Sequence, residues 1–261
     1  MKRAIVCSLL AAALFAAGTP AVRAQSGPAP AASASASPDL PEIGRTRATT
    51  TACAFMRDVV VPAFAAAQRA NAKFGAARTA LPIYIQLKAD YRSQRVPIKS
   101  DGNMLEAQYN RLSVETASVL RETDTIRKLL DDSRMTASSS DPTVRAEREQ
   151  LERVYAAQQA RAAALSELML RESTWLSLHM VGWEDPLAIA VMTLPRNLDA
   201  PPRPAPKFTA PPGMPLLNGF DTADRARVNE WTAAMTSIVH STEEQAAKTF
   251  LPLAQGCHGR P

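Results

Sequence analysis

The sequence predicts an all-α fold: a disulfide-closed bundle of four main helices, two of which form a long, coiled-coil-like antiparallel hairpin. Apolar residues recur every three, four and seven positions through the middle of the chain, which is the helical period. One run, residues 83–87, alternates like a strand but has no second strand to pair with. The two cysteines that follow the first 24 residues, Cys53 and Cys257, stand near the beginning and the end of the predicted helical domain in sequence.

The first 24 residues have the pattern of a secretory signal peptide. Lys2 and Arg3 precede an apolar run from Ala4 to Gly18, and small residues lie around Ala24. We expect cleavage near Ala24, and export to the periplasm or to the outside of the cell. The apolar run is too short to span a membrane and no later run is longer, so no membrane span is predicted.

The charge balance argues against a nucleic-acid partner. The whole chain has a formal net charge of +5, but loss of the signal peptide removes three basic residues and leaves +2. The remaining basic residues alternate with acidic ones along the predicted helices, often four positions apart, which is typical of solvated helix faces. Because no face of one sign results, nucleic-acid binding is not predicted.

Residues 25–48 are rich in Ala, Ser and Pro, and too few of them are large and apolar to offset the entropy of ordering the segment. We expect a disordered tether, followed by a single helical domain over residues 49–261. The first helix of this domain is predicted from Thr50 to about Phe74, with a kink at Pro62. A shorter helix is predicted over residues 81–91.

Residues 103–182 are predicted to form the hairpin. Asn103 with Glu106 has capping-box spacing at the start of the first arm. Asp141 and Pro142 suit the N-cap and first position of the second arm, and Gly182 is suited to end it. The apolar positions expected to face inward are Leu105, Leu112, Val119 and Ile126 in the first arm, and Val144, Leu151, Val154, Leu165, Leu168, Trp175 and Leu176 in the second.

A short helix is predicted over residues 186–194, and a proline-rich strap over residues 195–217. Eight prolines in 21 residues favour an extended polyproline II conformation there. The last helix is predicted over residues 221–254, with Asp221 as its N-cap and its end at or soon after Pro252. Its apolar stripe contains Val228, Trp231, Met235 and Ile238.

Cys53 and Cys257 are predicted to form a disulfide, because an exported chain enters an oxidising compartment. In an up-down four-helix bundle the start of the first helix and the end of the fourth lie at the same end, so the two residues can meet. The alternative is that the two cysteines stay unpaired. A redox role is not predicted, since the chain has no C-x-x-C motif.

The metal candidates are His240 and Glu244, which are four residues apart and lie on one helical face; His240 with Glu243, three residues apart, is the alternative pair. One such pair supplies two ligands. The neighbouring Glu243 is interpreted with Glu244 as a cap or a solvated position. The motifs G-x-S-x-G and H-E-x-x-H and a phosphate-binding glycine loop do not occur in the sequence, so no catalytic residue is predicted.

Residues 254–258, Ala-Gln-Gly-Cys-His, resemble the C-x-x-C-H haem attachment site with its first cysteine replaced by Ala. Cytochromes of the c-prime family are exported four-helix bundles with that motif near the C-terminus. The resemblance covers these five residues and the general architecture. It implies a single thioether from Cys257 to haem and an iron ligand at His258.

We therefore expect a non-enzymatic scaffold, adaptor or chaperone-like binding protein of the cell envelope that meets a protein partner through its helical faces. Long hairpins present extended surfaces, which suit this role. The alternative is a four-helix bundle that binds a ligand or a cofactor, with a degenerate c-prime-like haem site as its most specific form. The sequence predicts neither the partner nor the oligomeric state.

Overall fold

The computed structural model describes residues 39–41, 43, 50–94, 99–136, 141–180 and 225–258, all of which belong to the compact unit Ser37–Pro261. These residues are almost entirely helical and include no strand, which confirms the all-α class. None of the described helices is both long enough and apolar enough to cross a membrane. The predicted signal peptide, the helix over 186–194 and the strap over 195–217 lie outside the described residues.

Four long helices make up the described structure. The first consists of α1, a π-helical turn and α2, which follow one another without a break. The bounds are α1 Thr51–Phe55, the π turn Met56–Val60, α2 Val61–Ser93, α3 Lys99–Thr136, α4 Pro142–His179 and α5 Arg225–His258. Helices α3 and α4 are the two arms of the predicted hairpin.

The first helix is longer than predicted, and the expected break between residues 74 and 81 is wrong. Pro82 lies inside α2, although a proline there removes one backbone hydrogen bond. Leu81, Tyr84 and Ile85 are buried on either side of Pro82, so tertiary packing outweighs the local cost. Near the other proline, Pro62, the helix departs from α geometry in the π turn, a common feature where the hydrogen-bond ladder is interrupted.

Helix α3 begins at Lys99, four residues before the predicted start. Asn103 therefore lies inside the helix, and the capping-box prediction at Asn103 and Glu106 is wrong. The packing near this end is close: a Cβ atom added at Gly102 would lie 3.5 Å from the Met180 side chain and 3.7 Å from the Tyr91 ring. The end of α2, the start of α3 and the end of α4 therefore lie close together.

Helix α4 begins as predicted. Asp141 is its N-cap, and Asp141 Oδ1 accepts a hydrogen bond from the backbone N of Thr143 at 2.8 Å. Pro142 takes the first helical position, where its missing N–H costs nothing. The helix ends at His179, three residues before the predicted terminator Gly182, and Met180 is its C-cap.

Helix α5 runs to His258, and Pro252 lies inside it, so the predicted end near residue 254 is too early. Ala254 and Cys257 are buried after the proline, and their packing keeps the last turns helical. Residues 221–224, which include the predicted N-cap Asp221, lie outside the described part of the chain.

The disulfide between Cys53 and Cys257 is present, with the Cα atoms 5.6 Å apart. It joins α1 to the last turn of α5 across 204 residues, so the start of the first helix and the end of the last one meet as predicted. Both cysteines are buried within the apolar core at this end of the bundle.

Two apolar clusters form the core. The first contains the disulfide and the residues near it, with Phe64 and Phe250 packed edge to face at a centroid distance of 6.0 Å. The second lies toward the other end of the bundle. All the predicted hairpin positions are buried except Trp175, which is partly buried. The second cluster includes Phe74, Tyr84, Leu105, Tyr109, Leu112, Leu165, Leu168, Val228, Trp231 and Met235.

The hairpin is part of the bundle and does not stand alone. Helix α3 packs along α2 more extensively than along α4, and α4 also packs against α5. One described residue of the predicted tether joins the core as well: Ile43 is 4% exposed and belongs to the first apolar cluster. Close to it in sequence, Asp39 Oδ1 accepts a hydrogen bond from Gln68 Nε2 at 2.9 Å.

Candidate functional sites

A layer of polar side chains crosses the bundle between the two apolar clusters. Gln158, Arg161 and Glu243 are buried, and Asn71 is half-buried. The two oxygens of Glu243 accept hydrogen bonds from Asn71 Nδ2 at 2.7 Å and from Gln158 Nε2 at 2.6 Å. Arg161 donates to Asn71 Oδ1 at 2.7 Å and to Gln158 Oε1 at 2.5 Å. These bonds join α2, α4 and α5 at one level.

Glu243 and the Phe74 ring both favour the positive charge of Arg161 in this layer. Burial lowers the pKa of Arg161 to about 10, and the negative charge of Glu243 opposes this shift. The guanidinium carbon also lies 4.5 Å from the centroid of the Phe74 ring, a favourable cation–π geometry. Because both oxygens of Glu243 already accept hydrogen bonds, we interpret the layer as a connection between helices.

A second buried polar group lies in the other half of the bundle. Glu172 Oε2 on α4 accepts hydrogen bonds from Tyr84 Oη at 2.7 Å and from Lys88 Nζ at 2.6 Å, both on α2. Burial, together with the charge of Glu172, raises the pKa of Tyr84. Lys88 Nζ also lies 4.8 Å from the centroid of the Trp175 ring. Lys88 and Glu172 therefore form a buried ion pair between α2 and α4.

Glu147, near the start of α4, has a different environment from these two groups. It is 1% exposed, and neither of its carboxyl oxygens has a hydrogen-bond partner in the described structure. Burial raises the pKa of this carboxyl to about 8, and the charge of Asp141 adds to the shift. The side chain is therefore mostly protonated at neutral pH.

Glu147 lies in the wall of a groove between the start of α4 and the end of α5. The groove has a volume of about 350 Å³ and is lined by Thr143, Ala146, Glu147, Thr249, Pro252 and Leu253. Its surface is mainly apolar. Thr143 and Thr249 each carry a hydroxyl group, and Glu147 carries a carboxyl whose two oxygens are buried. An apolar cavity with a few polar groups is the usual form of a small-molecule site.

The residues predicted as metal ligands lie together on α5. His240 Nε2 is 3.1 Å from Glu244 Oε1, and both side chains are partly exposed. Within the described residues no group of three or more His, Cys, Asp or Glu side chains is placed to hold a metal ion. The pair offers two ligands, whereas a protein metal site usually has three or four. The metal site therefore stays a prediction.

The predicted haem site conflicts with the disulfide. The Cys257 sulfur atom is bonded to Cys53, whereas a thioether to haem needs that same atom. His258 is the last residue of α5. The two uses of Cys257 therefore exclude each other in one molecule.

The buried polar residues were not predicted from the sequence. For four of them, the seven-residue spacing of the apolar positions on α4 could have indicated burial. On α4, polar residues take positions on the same seven-residue rows as the buried apolar ones. One row is Val144, Leu151, Gln158, Leu165 and Glu172; the other is Glu147, Val154, Arg161, Leu168 and Trp175. The interpretation of Glu243 as a cap or a solvated residue is wrong, because it is 1% exposed.

Two large aliphatic side chains are exposed on one stripe of α4. Leu170 is 67% exposed and Leu178 is 75% exposed, with the exposed Thr174 one turn from each. Residues four apart on a helix are neighbours on its surface, so the three form a narrow stripe, which we call the α4 stripe. It lies at the end of the bundle opposite to the disulfide.

Fold and sites together define a disulfide-closed four-helix protein with a central polar layer and a groove beside one buried carboxyl. Comparison with protein-family models, with curated proteins and with solved structures finds no match for this chain.

Proposed function

We propose that this chain is an exported, non-enzymatic binding protein of the cell envelope that acts as a scaffold, adaptor or chaperone-like protein through its helical faces. The observation that carries the proposal is the α4 stripe, where Leu170 and Leu178 are exposed on a long helix. Exposed aliphatic groups on a helix that is itself well packed suit contact with the apolar side chains of a partner protein.

The disulfide supports the part of the proposal that concerns export. Cys53 and Cys257 are bonded, and disulfides persist in oxidising compartments such as the periplasm and the cell exterior. The pattern of residues 1–24 agrees with this location, because it is that of a secretory signal peptide.

Site-specific photo-cross-linking in cells tests the proposal. A photoreactive amino acid at Thr174 lies between the two leucines of the stripe, and the same group at the exposed Ala72 on α2 is the matched control position. We expect a discrete protein adduct from position 174 and none from position 72. The double substitution Leu170→Ser with Leu178→Ser should reduce the adduct at least threefold.

An adduct that does not change in the double variant, or equal adducts from both positions, would contradict the role of the α4 stripe. Fractionation of the same cells tests export. We expect the chain in the periplasm or the medium with the mass of residues 25–261, whereas a cytoplasmic protein of full-length mass would contradict export.

The second candidate, a ligand- or cofactor-binding bundle, is supported by the groove beside Glu147 rather than by the haem motif. An absorption spectrum and an intact mass under non-reducing conditions separate the two forms of this candidate. A colourless protein two mass units lighter than its reduced form is expected from the disulfide. A Soret band with a haem-sized mass increment would instead support the c-prime-like form.

A further inference from the structure

We propose that the groove between the start of α4 and the end of α5 binds a small organic amine, whose ammonium group pairs with the carboxylate of Glu147. The apolar part of the amine contacts Ala146, Pro252 and Leu253. This site lies on different helix segments from the α4 stripe, so the proposal is independent of the proposed protein partner.

The Glu147 carboxyl is the group that the amine would pair with. Both of its oxygens are buried and have no hydrogen-bond partner within the described residues, an arrangement that is costly unless a partner is supplied. Glu147 is one of the residues that line the groove, so the buried carboxyl lies next to it. An ammonium group supplies N–H donors and a positive charge together, and so it stabilises the ionised carboxylate; the proton that burial keeps on the carboxyl is released to solvent when the amine binds.

The polarity of the groove also favours a cation. Among the described residues that line it, the other polar side chains are the hydroxyls of Thr143 and Thr249, and none is Lys, Arg or His. Within the described lining the groove therefore has one acidic group and no basic one, which favours a cation over an anion.

The groove is small and mainly apolar. A volume of about 350 Å³ accommodates a small ring or a short alkyl chain, and Ala146, Pro252 and Leu253 offer apolar surface to it. A bare divalent cation is a poor fit, because Ca²⁺ and Mg²⁺ need about six oxygen ligands and the described lining has one carboxyl. A monoamine with one apolar substituent matches both features.

The experiment is an NMR titration of the full, disulfide-intact chain with three ligands of nearly equal shape: cyclohexylamine, cyclohexanol and cyclohexanecarboxylate. We expect the amine to bind, with the largest shift changes at residues 143–147 and 249–253. The alcohol should bind at least tenfold more weakly, and the carboxylate more weakly still. A fourth ligand, Nα-acetyl-lysine N-methylamide, shows whether a lysine side chain of a polypeptide can supply the same ammonium group.

Two variants connect binding to the groove. Glu147→Gln keeps the side-chain shape and should lower the affinity for cyclohexylamine at least tenfold. Ala146→Trp starts from an exposed position and should block the groove while Glu147 remains, so it tests the site even if Glu147→Gln disturbs folding. The control Ala72→Trp, on the exposed face of α2, should bind like the unmodified chain.

The proposal is overturned if cyclohexylamine causes no shift changes near the groove. It is equally overturned if the three cyclohexyl ligands bind alike, or if Ala146→Trp binds the amine as well as Ala72→Trp does. None of these results bears on cross-linking at Thr174, so the two proposals can fail separately.

Discussion

At the scale of single residues, the buried charges have unlike environments. Arg161 and Glu243 share a hydrogen-bonded layer, and Lys88 and Glu172 form a close pair at 2.6 Å. Glu147 has neither a counter-charge nor a hydrogen bond within the described residues. Buried ion pairs contribute little net stability but are costly to break, because the remaining charge is left unpaired.

Arg161→Met should lower the free energy of unfolding by about 3 to 5 kcal/mol, the usual cost of removing one partner from a buried charged network. The substitution leaves Glu243 without its nearby cation, and Asn71 Oδ1 and Gln158 Oε1 each lose a donor. Urea unfolding measures the change. The control is Arg153→Met on the same helix, where an exposed ion pair with Glu149 at 3.3 Å should contribute under about 1 kcal/mol. Equal effects of the two substitutions would contradict the role of the layer.

Glu147 should make the protein less stable as the pH rises from about 4.5 to about 8. Its pKa is raised from 4.5 to about 8 in the folded chain. In that range the folded state therefore keeps a proton that the unfolded state has released, and stability falls with pH. The loss across the window is on the order of a few kcal/mol, since one pKa unit corresponds to about 1.4 kcal/mol.

Urea unfolding of the unmodified chain and of Glu147→Gln at pH 5 and pH 8 measures this effect. The glutamine variant cannot titrate at this position, so its stability should fall less between the two values. If both chains change by the same amount, the raised pKa of Glu147 is wrong.

At the scale of elements, packing decides where the helices begin and end. Helix α2 continues through Gly75 and Pro82, and α5 continues through Pro252, although each of these residues disfavours a helix interior.

We interpret the polar layer as a feature that also aligns the helices. Asn71, Gln158, Arg161 and Glu243 can form their bonds only when α2, α4 and α5 are aligned along their axes, so the layer specifies their register.

Gly75→Ala should stabilise the protein by about 0.5 to 1 kcal/mol, because glycine in a helix interior costs more conformational entropy than alanine. Gly75 is exposed, and an added Cβ would meet no atom within 4 Å. Ala72→Gly on the exposed face of the same helix is the matched reverse change and should destabilise by a similar amount. The midpoints of urea unfolding measure both. A decrease for Gly75→Ala would contradict a continuous helix through this residue.

At the scale of the whole molecule, the disulfide joins the start of the first helix to the end of the last one, and the two apolar clusters form the core. The bond joins residues 204 positions apart and so closes most of the folded chain. Replacing Cys53 and Cys257 by Ser should lower the free energy of unfolding by about 2 to 5 kcal/mol, mainly because the unfolded chain gains freedom.

Chemical unfolding of the oxidised chain and of the double serine variant measures the contribution of the disulfide. Circular dichroism of the variant before unfolding serves as the control for an intact helical fold. A change below about 1 kcal/mol would mean that the bond does not limit the unfolded chain as the loop-closure argument requires.

Much of this architecture follows from the sequence alone. The seven-residue rows of Leu105 to Ile126 and the capping pair Asp141–Pro142 predict helices α3 and α4, because side-chain periodicity and capping are local properties. The pairing of Cys53 with Cys257 also follows, since two cysteines in an up-down bundle have one way to join.

The sites were decided by the tertiary structure. A glutamate on a helix can lie in solvent or in the core, and only the neighbouring helices determine which of these occurs. Packing placed Glu243 in a hydrogen-bonded layer, left Glu147 unpaired beside a groove, and kept Leu170 and Leu178 exposed. Local sequence determines where a helix forms and which face is apolar, whereas the burial, the charge state and the availability of each polar group depend on contacts between residues distant in the chain.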